Sequence, residues 1–159
     1  MNLKIKIKMI NKNLPLPEIT AKGEWVDLRS SKTVKFGLPF EDNIIPLGVA
    51  MKLPEGFEAI VAPRSSIFRH FGVILANSLG IIDNSFSGNK DEWGFHAINI
   101  KANTQIEEGD RICQFRIQPS QKATFRQKLK WLLCSGIEFC PVNILDENSR
   151  GGYGSTGKN

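Results

Sequence analysis

The feature that most constrains the fold is an alternation of apolar and charged residues near the start of the chain. Leu3, Ile5, Ile7 and Met9 are apolar, and lysines separate them. Because successive side chains of a strand point to opposite faces of a sheet, this period of two predicts a β-strand with one buried face. The alternation is also unlike the continuous apolar core of a signal peptide. The first residues are therefore expected to form a strand.

Further strand candidates follow at short intervals. Clusters of Pro, Gly, Asn and Asp separate them along the chain. The candidates lie at residues 44–53, 57–62, 73–76, 95–101 and 111–118. Short strands with frequent turns are typical of sandwiches, jelly rolls and barrels. The sequence therefore predicts an all-β fold, a jelly-roll-like barrel or sandwich.

A single segment has convincing helical character. With Ser120 as the expected N-cap, Phe125, Leu129 and Leu132 stand at i, i+4 and i+7. We predict one short helix over residues 121–134, lying on the surface and packed on the sheet.

Length and composition favour one folded domain. The 159 residues are 41% hydrophobic and 23% charged, which is ordinary for a globular chain. The last dozen residues are too rich in glycine and too polar to hold structure alone. We predict a β domain over residues 1–146 and a flexible tail over residues 147–159.

The net charge of +5 comes from two segments, residues 1–12 and 121–135, which each carry four basic residues and no acid. Neither shows a nucleic-acid recognition motif, so solvated side chains and no nucleic-acid partner are expected. No apolar run approaches the roughly 18 residues that span a bilayer, so no membrane contact is expected. Cys113, Cys134 and Cys140 lack zinc-site spacing and are expected to be free thiols in the cytoplasm.

The glycine-rich end nearly matches a phosphate-binding loop. Residues 152–158 follow the order glycine, four residues, glycine and lysine, but Asn159 stands where Ser or Thr would hold magnesium. A P-loop NTPase is therefore excluded. Successive glycines can still surround an anion with backbone N–H groups, and Arg150 and Lys158 add charge. The segment is either a polyphosphate-binding tail or a disordered solubilising one.

Three internal segments also contain residues that could bind a ligand or act in catalysis, but their patterns are less specific than that of the tail. Arg64, Ser65 and Ser66 join a guanidinium and two hydroxyls at an expected strand-to-turn junction, which suits phosphate but is also common surface decoration. Residues 77–88 predict a strand and a tight hairpin around Asp83, or a plain turn that Asp83 caps. Residues 109–115 predict a turn that leads into a strand.

Taken in order, these segments resemble the five motifs of the trimeric dUTPase family. The motifs correspond to residues 24–30, 62–66, 80–88, 109–114 and 150–157. The resemblance implies a jelly-roll-like fold and a homotrimer in which each active site collects motifs from three subunits. It also implies hydrolysis of dUTP to dUMP and pyrophosphate, which keeps uracil out of DNA and supplies dUMP for dTMP synthesis.

The resemblance further implies roles for single residues. Asp83 would be the catalytic base that activates water for attack on the α-phosphorus, and Asp27 would contact Mg²⁺ through water. Asn77 would select uracil with the hairpin backbone at Gly80 and Ile82, and Phe86 would exclude a ribose 2′-hydroxyl. The remaining substrate contacts implied are Arg64, Ser65, Ser66 and Gln114, then Arg150, Tyr153 stacked on uracil, Gly154, Ser155, Thr156, Gly157 and Lys158 from the tail.

The sequence departs from the family pattern before Asp27, where Glu24, Trp25 and Val26 replace the usual Ala-Gly. Residues 119–146 are also longer than expected between the fourth and fifth motifs. Two other functions stay open. One is a dCTP deaminase or a bifunctional dCTP deaminase/dUTPase. The other is a dUTP-sensing binding protein whose regulatory protein partner would meet the basic segment at residues 121–134.

Overall fold

The structure is a computed structural model, and it describes residues 2–19 and 23–145. Over these residues the chain forms twelve strands and two short helices. The strands are β1 (Leu3–Met9), β2 (Val26–Arg29), β3 (Val34–Phe36), β4 (Asp42–Pro46), β5 (Val49–Lys52), β6 (Phe57–Pro63), β7 (Val73–Leu75), β8 (Gly80–Asp83), β9 (Gly94–Asn99), β10 (Thr104–Ile106), β11 (Arg111–Pro119) and β12 (Ile137–Pro141). The helices are α1 (Ile67–Phe71) and α2 (Phe125–Leu133). The prediction of a β-rich fold is confirmed.

The predicted strands agree with the structure except at one place. Five predictions are confirmed by β1, β6, β7, β9 and β11, whose ends differ from the predicted ones by at most two residues. The prediction of one strand over residues 44–53 was wrong, because β4 and β5 divide that segment. Gly48 lies between them at a φ of 72°, a left-handed conformation that glycine adopts without the strain a Cβ would add. The chain therefore turns at Gly48 and enters a second sheet.

Helix α1 was not predicted, so the expectation of a single helix was wrong. Its five residues are too few to show a helical period, and only Ile67 is buried. Gly72 ends the helix in the left-handed conformation, and its N–H donates to the carbonyl of Phe68 at 2.8 Å.

Helix α2 confirms the predicted helix but corrects its start and its orientation. The N-cap is Thr124 rather than Ser120, because the side chains and backbone of Thr124 and Gln127 form a capping box. Ser120 instead donates its N–H to the carbonyl of Gly56. Phe125 and Leu132, expected to face the sheet, are 79% and 78% exposed.

The strands form four sheets with the orders β12-β1-β5, β10-β3, β2-β11-β6-β8 and β4-β9-β7. Neighbouring strands are antiparallel, except that β1 and β12 run parallel. Leu3, Ile5 and Ile7 are completely buried, as their period of two predicts. Burying such side chains contributes roughly 1.5–3 kcal/mol each.

One hydrophobic core joins the four sheets. Trp93 and Phe115 are fully buried and meet edge to face, with ring centroids 5.2 Å apart. On β11, Phe115 and Ile117 point into this core, so Gln114 and Arg116 lie on the opposite face of the sheet. That outer face of the β2-β11-β6-β8 sheet carries the polar residues described below.

Candidate active site

One end of the four-stranded sheet gathers polar residues from three strands. Asp27 of β2 lies opposite Gln114 of β11, and Gln114 lies opposite Ala62 of β6. Arg64 follows β6 directly, and its N–H donates to the carbonyl of Ile112 at 3.3 Å. Directly opposite residues have Cβ atoms about 4.5–5.5 Å apart, so the register itself brings these side chains together. We call Asp27, Arg64, Arg111 and Gln114 the arginine end of the sheet.

Asp27 pairs with two arginines at this end. Its Oδ1 lies 3.0 Å from Nε of Arg64, and its Oδ2 accepts a hydrogen bond from Nη1 of Arg111 at 3.1 Å. The side chains of Asp27 and Arg64 are 24% and 28% exposed, so solvent partly screens the pair. The cluster holds two positive charges and one negative charge, and it therefore favours an anionic ligand.

The two predicted serines lie in the turn between β6 and α1. Ser65 is exposed and Ser66 is half-buried. Ser66 is the N-cap of α1, but its hydroxyl makes no capping hydrogen bond. The backbone of this turn is held by the N–H of Ile67, which donates to the carbonyl of Arg64 at 3.0 Å. Both serines therefore follow Arg64 directly in this turn.

The Asp83 hairpin, residues 77–88, lies at the other end of the same sheet. Asp83 ends β8, and its Oδ1 accepts hydrogen bonds from the N–H of Ser85, at 2.8 Å, and from the hydroxyl of Ser85. These two donors hold one oxygen of the Asp83 carboxylate in place. Asp83 also lies opposite Glu58 of β6, whose Oε1 accepts a hydrogen bond from Gln118 at 2.9 Å.

The other predicted hairpin residues differ in exposure. Asn77 is exposed, while Phe86 and Ile82 are half-buried and pack against the core. Gly80 lies opposite Val61, and a Cβ built on Gly80 would come within 3.2 Å of the Val61 Cβ. Close packing on β6 therefore explains the glycine.

The sheet register separates the two ends within one chain. On β6, Glu58 lies opposite Asp83 and Ala62 lies opposite Gln114. The four residue steps from Glu58 to Ala62 span about 13 Å at roughly 3.3 Å per residue. The structure thus brings Asp27, Arg64 and Gln114 together but does not bring Asp83 to them.

The predicted site residues of the tail lie outside the described residues. They are Arg150, Tyr153, Gly154, Ser155, Thr156, Gly157 and Lys158. Sequence reasoning also missed two charged residues at the site. Arg111 lies in the fourth motif, residues 109–114, but no role was expected for it. Glu58 gave no signal in the sequence, because only strand pairing places it opposite Asp83.

The described residues suit a magnesium ion that arrives with its ligand. Across residues 2–19 and 23–145, no group of three or more His, Cys, Asp and Glu side chains could hold a metal. Mg²⁺ usually keeps several waters and binds through one or two carboxylates plus substrate phosphates. Both oxygens of Asp27 already meet guanidinium groups. The position of Asp27 therefore fits a contact with the magnesium ion through a water molecule.

Comparison with known proteins adds independent findings. A family model described as dUTPase matches residues 24–131. The prophage-derived deoxyuridine 5′-triphosphate nucleotidohydrolase YosS of Bacillus subtilis is 41% identical over 155 residues, which cover 98% of this chain and 99% of that protein. Both matches include the arginine end and the Asp83 hairpin.

Solved structures share the jelly-roll-like fold. A dUTPase from Streptococcus mutans matches with a TM-score of 0.65 and 23% identity, covering 74% of this chain and 98% of that one. A mutant of the dUTPase from phage phi11 of Staphylococcus aureus, which coordinates a structural Mg(II) ion, matches with a TM-score of 0.62 and 22% identity, covering 77% of this chain and 95% of that one. From the family model and the close prophage relative, the chain belongs to the dUTPase family.

Proposed function

We propose that this chain hydrolyses dUTP to dUMP and pyrophosphate, with Asp83 as the base and the arginine end as the phosphate site. The observation that most strongly supports this proposal is the 41% identity, over nearly the full length of both chains, to a deoxyuridine 5′-triphosphate nucleotidohydrolase. The dUTPase family match supports the same reaction and does not favour the dCTP deaminase alternative. A cytoplasmic location is part of the proposal, since the three cysteines are free thiols.

Asp83 would take the proton of the attacking water. An aspartate is ionised at neutral pH, so it can accept a proton without special tuning. The Ser85 N–H and hydroxyl hold one carboxylate oxygen, which fixes the direction in which the group faces. Water positioned by Asp83 would then attack the α-phosphorus in line with the departing pyrophosphate.

The arginine end would stabilise the charge of the triphosphate. Arg64, Ser65, Ser66 and Gln114 offer a guanidinium, two hydroxyls and an amide, all hydrogen-bond donors for phosphate oxygens. A Mg²⁺ ion bound to the triphosphate would supply charge neutralisation and alignment of the phosphates. Asp27 would meet that ion through water.

The Asp83 hairpin would select the deoxyuridine. Its backbone at Gly80 and Ile82 and the amide of Asn77 suit the hydrogen-bonding groups of uracil and mismatch those of cytosine. The half-buried Phe86 ring would leave no room for a ribose 2′-hydroxyl. We further propose a domain over residues 1–146 and a tail over residues 147–159. In the tail, Tyr153 would stack on the base, and the remaining predicted residues would close over the phosphates: Arg150, Gly154, Ser155, Thr156, Gly157 and Lys158.

A complete site would need more than one copy of the chain. Asp83 and the arginine end are separated by at least four residue steps along β6. The dUTPase family is typically trimeric. We therefore propose a homotrimer in which the Asp83 hairpin of one subunit faces the arginine end of another and the tail of a third closes over both.

Pyrophosphate release from dUTP, dCTP, dTTP and UTP with Mg²⁺ tests the reaction. We expect release from dUTP alone, its loss in Asp83→Asn, and wild-type rates in Asp42→Asn. Asp42 is the control because its carboxylate pairs with His96 within the β4-β9-β7 sheet, which is not the sheet that carries Asp83. Ammonia release from dCTP would instead establish the deaminase, and dUTP binding without turnover would point to the sensor.

Helix α2 favours a second function, the binding of a regulatory protein. At 100° per residue, Gln127 and Trp131 point towards the body, and the Trp131 ring lies 5.9 Å from that of Phe57. Phe125, Leu129, Leu132 and Leu133 occupy the opposite side and are exposed. Arg126, Lys128 and Lys130 flank this stripe. A partner with an apolar groove and acidic borders fits such a helix.

Pull-down with the purified trimer, with and without a non-hydrolysable dUTP analogue, tests this second function. We expect the wild type to capture a partner protein. The double variant Phe125→Ser/Leu132→Ser should no longer capture it, while its pyrophosphate release stays unchanged. The matched control, Leu38→Ser, removes an exposed leucine far from α2 in sequence. A partner retained equally by every variant, or none at all, would count against a role for α2.

Across the described ranges, 2–19 and 23–145, no helix is long and apolar enough to cross a membrane.

A further inference from the structure

The residue that follows the Asp83 hairpin holds the chain just before the proposed tail. The side-chain Nδ2 of Asn89 donates to the carbonyl of Leu145 at 3.1 Å, and the N–H of Leu145 donates to Oδ1 of Asn89 at 2.8 Å. A single amide side chain therefore satisfies both backbone polar groups of one residue, as a neighbouring strand would. We call these two hydrogen bonds the Asn89 clamp.

A closed turn fixes the position of Asn89. The N–H of Asp91 donates to the carbonyl of Gly88 at 3.1 Å, and the N–H of Gly88 donates to Oδ2 of Asp91 at 2.7 Å. Both of these residues are buried, and Asn89 occupies the first central position of the turn between them. Lys8 of β1 also donates its Nζ to the carbonyl of Asn89 at 3.2 Å. The backbone of Asn89 is thus held independently of its contact with Leu145.

Leu145 is held by its side chain as well as by its backbone. It is 3% exposed, whereas the preceding residue, Ile144, is 73% exposed. Three residues earlier, the N–H of Val142 donates to the carbonyl of Ile7 in β1 at 2.8 Å. The Asn89 clamp therefore brings the fixed part of the domain three residues closer to the proposed tail than the contact with β1 does.

We propose that Asn89 is a positioning residue that fixes the point at which the tail leaves the domain, and that it thereby favours closure of the tail over bound nucleotide. The inference rests on the proposed function and deepens it. Eight residue steps separate Leu145 from Tyr153. At no more than about 3.6 Å per residue, Tyr153 lies within about 29 Å of the clamp.

Loss of the clamp would lengthen the segment that has to be ordered when the tail closes. Measured from Val142 instead of Leu145, the segment that ends at Tyr153 has eleven steps in place of eight. A longer segment lowers the effective concentration of the tail at its site, and each additional residue loses backbone freedom on closure. The clamp therefore reduces the entropic cost of closing the site.

A local role and a positioning role for Asn89 predict different results. Asn89 stands three residues after Phe86 and six after Asp83, so the clamp could act only by holding the hairpin. Asn89→Ala would then weaken nucleotide binding whether or not the tail can close. If Asn89 positions the tail, the effect should disappear once the contacts made by the tail are removed, because coupled residues are not additive.

Tyr153 is the single tyrosine of the chain, so fluorotyrosine gives one fluorine NMR signal that reports on the tail. The test titrates the assembled full-length protein with a non-hydrolysable dUTP analogue in Mg²⁺. We expect Asn89→Ala to raise the analogue concentration at the midpoint of the Tyr153 shift about fivefold, which corresponds to ordering roughly one released residue.

Asn89→Asp serves as a second variant, because thermal melting could show that Asn89→Ala is unfolded. The aspartate keeps an acceptor for the Leu145 N–H but loses the donor to its carbonyl, and we expect a shift of about threefold. The matched control is Asn143→Ala, the same substitution at an exposed residue of the same segment. Its midpoint should agree with that of the wild type.

Calorimetry in a second background separates the two roles. Arg150→Gln with Tyr153→Ala removes two proposed contacts of the tail while the chain stays full length. In this background, Asn89→Ala should change the dissociation constant of the analogue less than twofold, whereas in the wild-type background it should raise that constant about fivefold.

Three results would overturn the inference. A midpoint for Asn89→Ala equal to that of Asn143→Ala would show that the clamp does not affect closure. An equal loss of affinity in both backgrounds would assign Asn89 to the hairpin alone. A wild-type Tyr153 signal that does not respond to the analogue would show that the tail does not close. Pyrophosphate release from dUTP by the wild type is measured separately, and its absence beside a normal Tyr153 shift would reject the proposed reaction while leaving the role of Asn89 in place.

Discussion

The two ends of the β2-β11-β6-β8 sheet hold their functional groups by different means. At the arginine end, order comes from tertiary structure, since Asp27, Arg64 and Arg111 belong to three segments that meet only through strand register. At the Asp83 hairpin, order is local, because Ser85 holds a carboxylate two residues away. One chain therefore carries two groups of polar residues that are ordered by different means, and in the proposed homotrimer a second copy would bring them together.

The largest expected effect comes from removing the proposed base, Asp83. Asp83→Asn should lower kcat by about 10²–10⁴-fold, the usual contribution of a positioned general base. Because the arginine end is untouched, binding of a non-hydrolysable dUTP analogue should stay near the wild-type value. Single-turnover pyrophosphate release and calorimetry measure the two quantities. Equal losses of binding and turnover would mean that the two ends are not independent.

Mixed trimers test whether the half-sites come from different copies. Asp83→Asn and Arg64→Gln should each be nearly inactive alone. Co-expressed with two affinity tags, they should regain about a third of the wild-type sites in trimers that carry both tags, since one of the three interfaces in each mixed trimer joins an intact Asp83 to an intact Arg64. Pyrophosphate release by doubly tagged trimers is the measurement. If both residues served a site from the same chain, mixing would restore nothing.

The sequence predicts local order well and register poorly. The period of two in Leu3–Met9 predicts β1, and the motif order predicts Asp83 and Arg64 as site residues. The separation of those two residues depends on pairing along β6, which no spacing along the chain reveals. Strand periodicity would likewise place Arg111 and Gln114 on opposite faces, but a β-bulge between Arg111 and Cys113 interrupts the alternation.

Helix α2 shows the same limit. The spacing of Phe125, Leu129 and Leu132 predicts an apolar stripe, but it does not say which way the stripe faces. Trp131 and Gln127 decide that, through contacts with Phe57 and Gly56 that are distant in sequence. The structure therefore turns outward a stripe that sequence reasoning assigned to the sheet.

Weakening the contact that orients Asp83, without removing its carboxylate, should have an intermediate effect on kcat. Ser85→Ala deletes the hydroxyl contact to Asp83 but keeps the backbone N–H at 2.8 Å from Oδ1. We expect kcat to fall about tenfold, as for the loss of one charge-assisted hydrogen bond, with unchanged analogue binding. The control is Ser135→Ala, an exposed serine between α2 and β12. A kcat within twofold of the wild type would assign the orientation of Asp83 to the backbone alone.

The smallest expected effect is on the stability of the arginine end. The Asp27 pairs are partly exposed, so Asp27→Asn should lower the free energy of unfolding by no more than about 1 kcal/mol.

Cys113, beside Gln114 on β11, reports local opening of this end. Burial first and the Asp27 charge second raise the pKa of its thiol. Burial persists in the variant, so alkylation of Cys113 at about pH 8.5, where exposed thiols are half ionised, should stay slow. Urea unfolding and mass-resolved alkylation measure both quantities, with the half-buried Cys134 and Cys140 as internal references. Rapid labelling of Cys113 in Asp27→Asn would mean that Asp27 supports the fold of this end as well as its arginines.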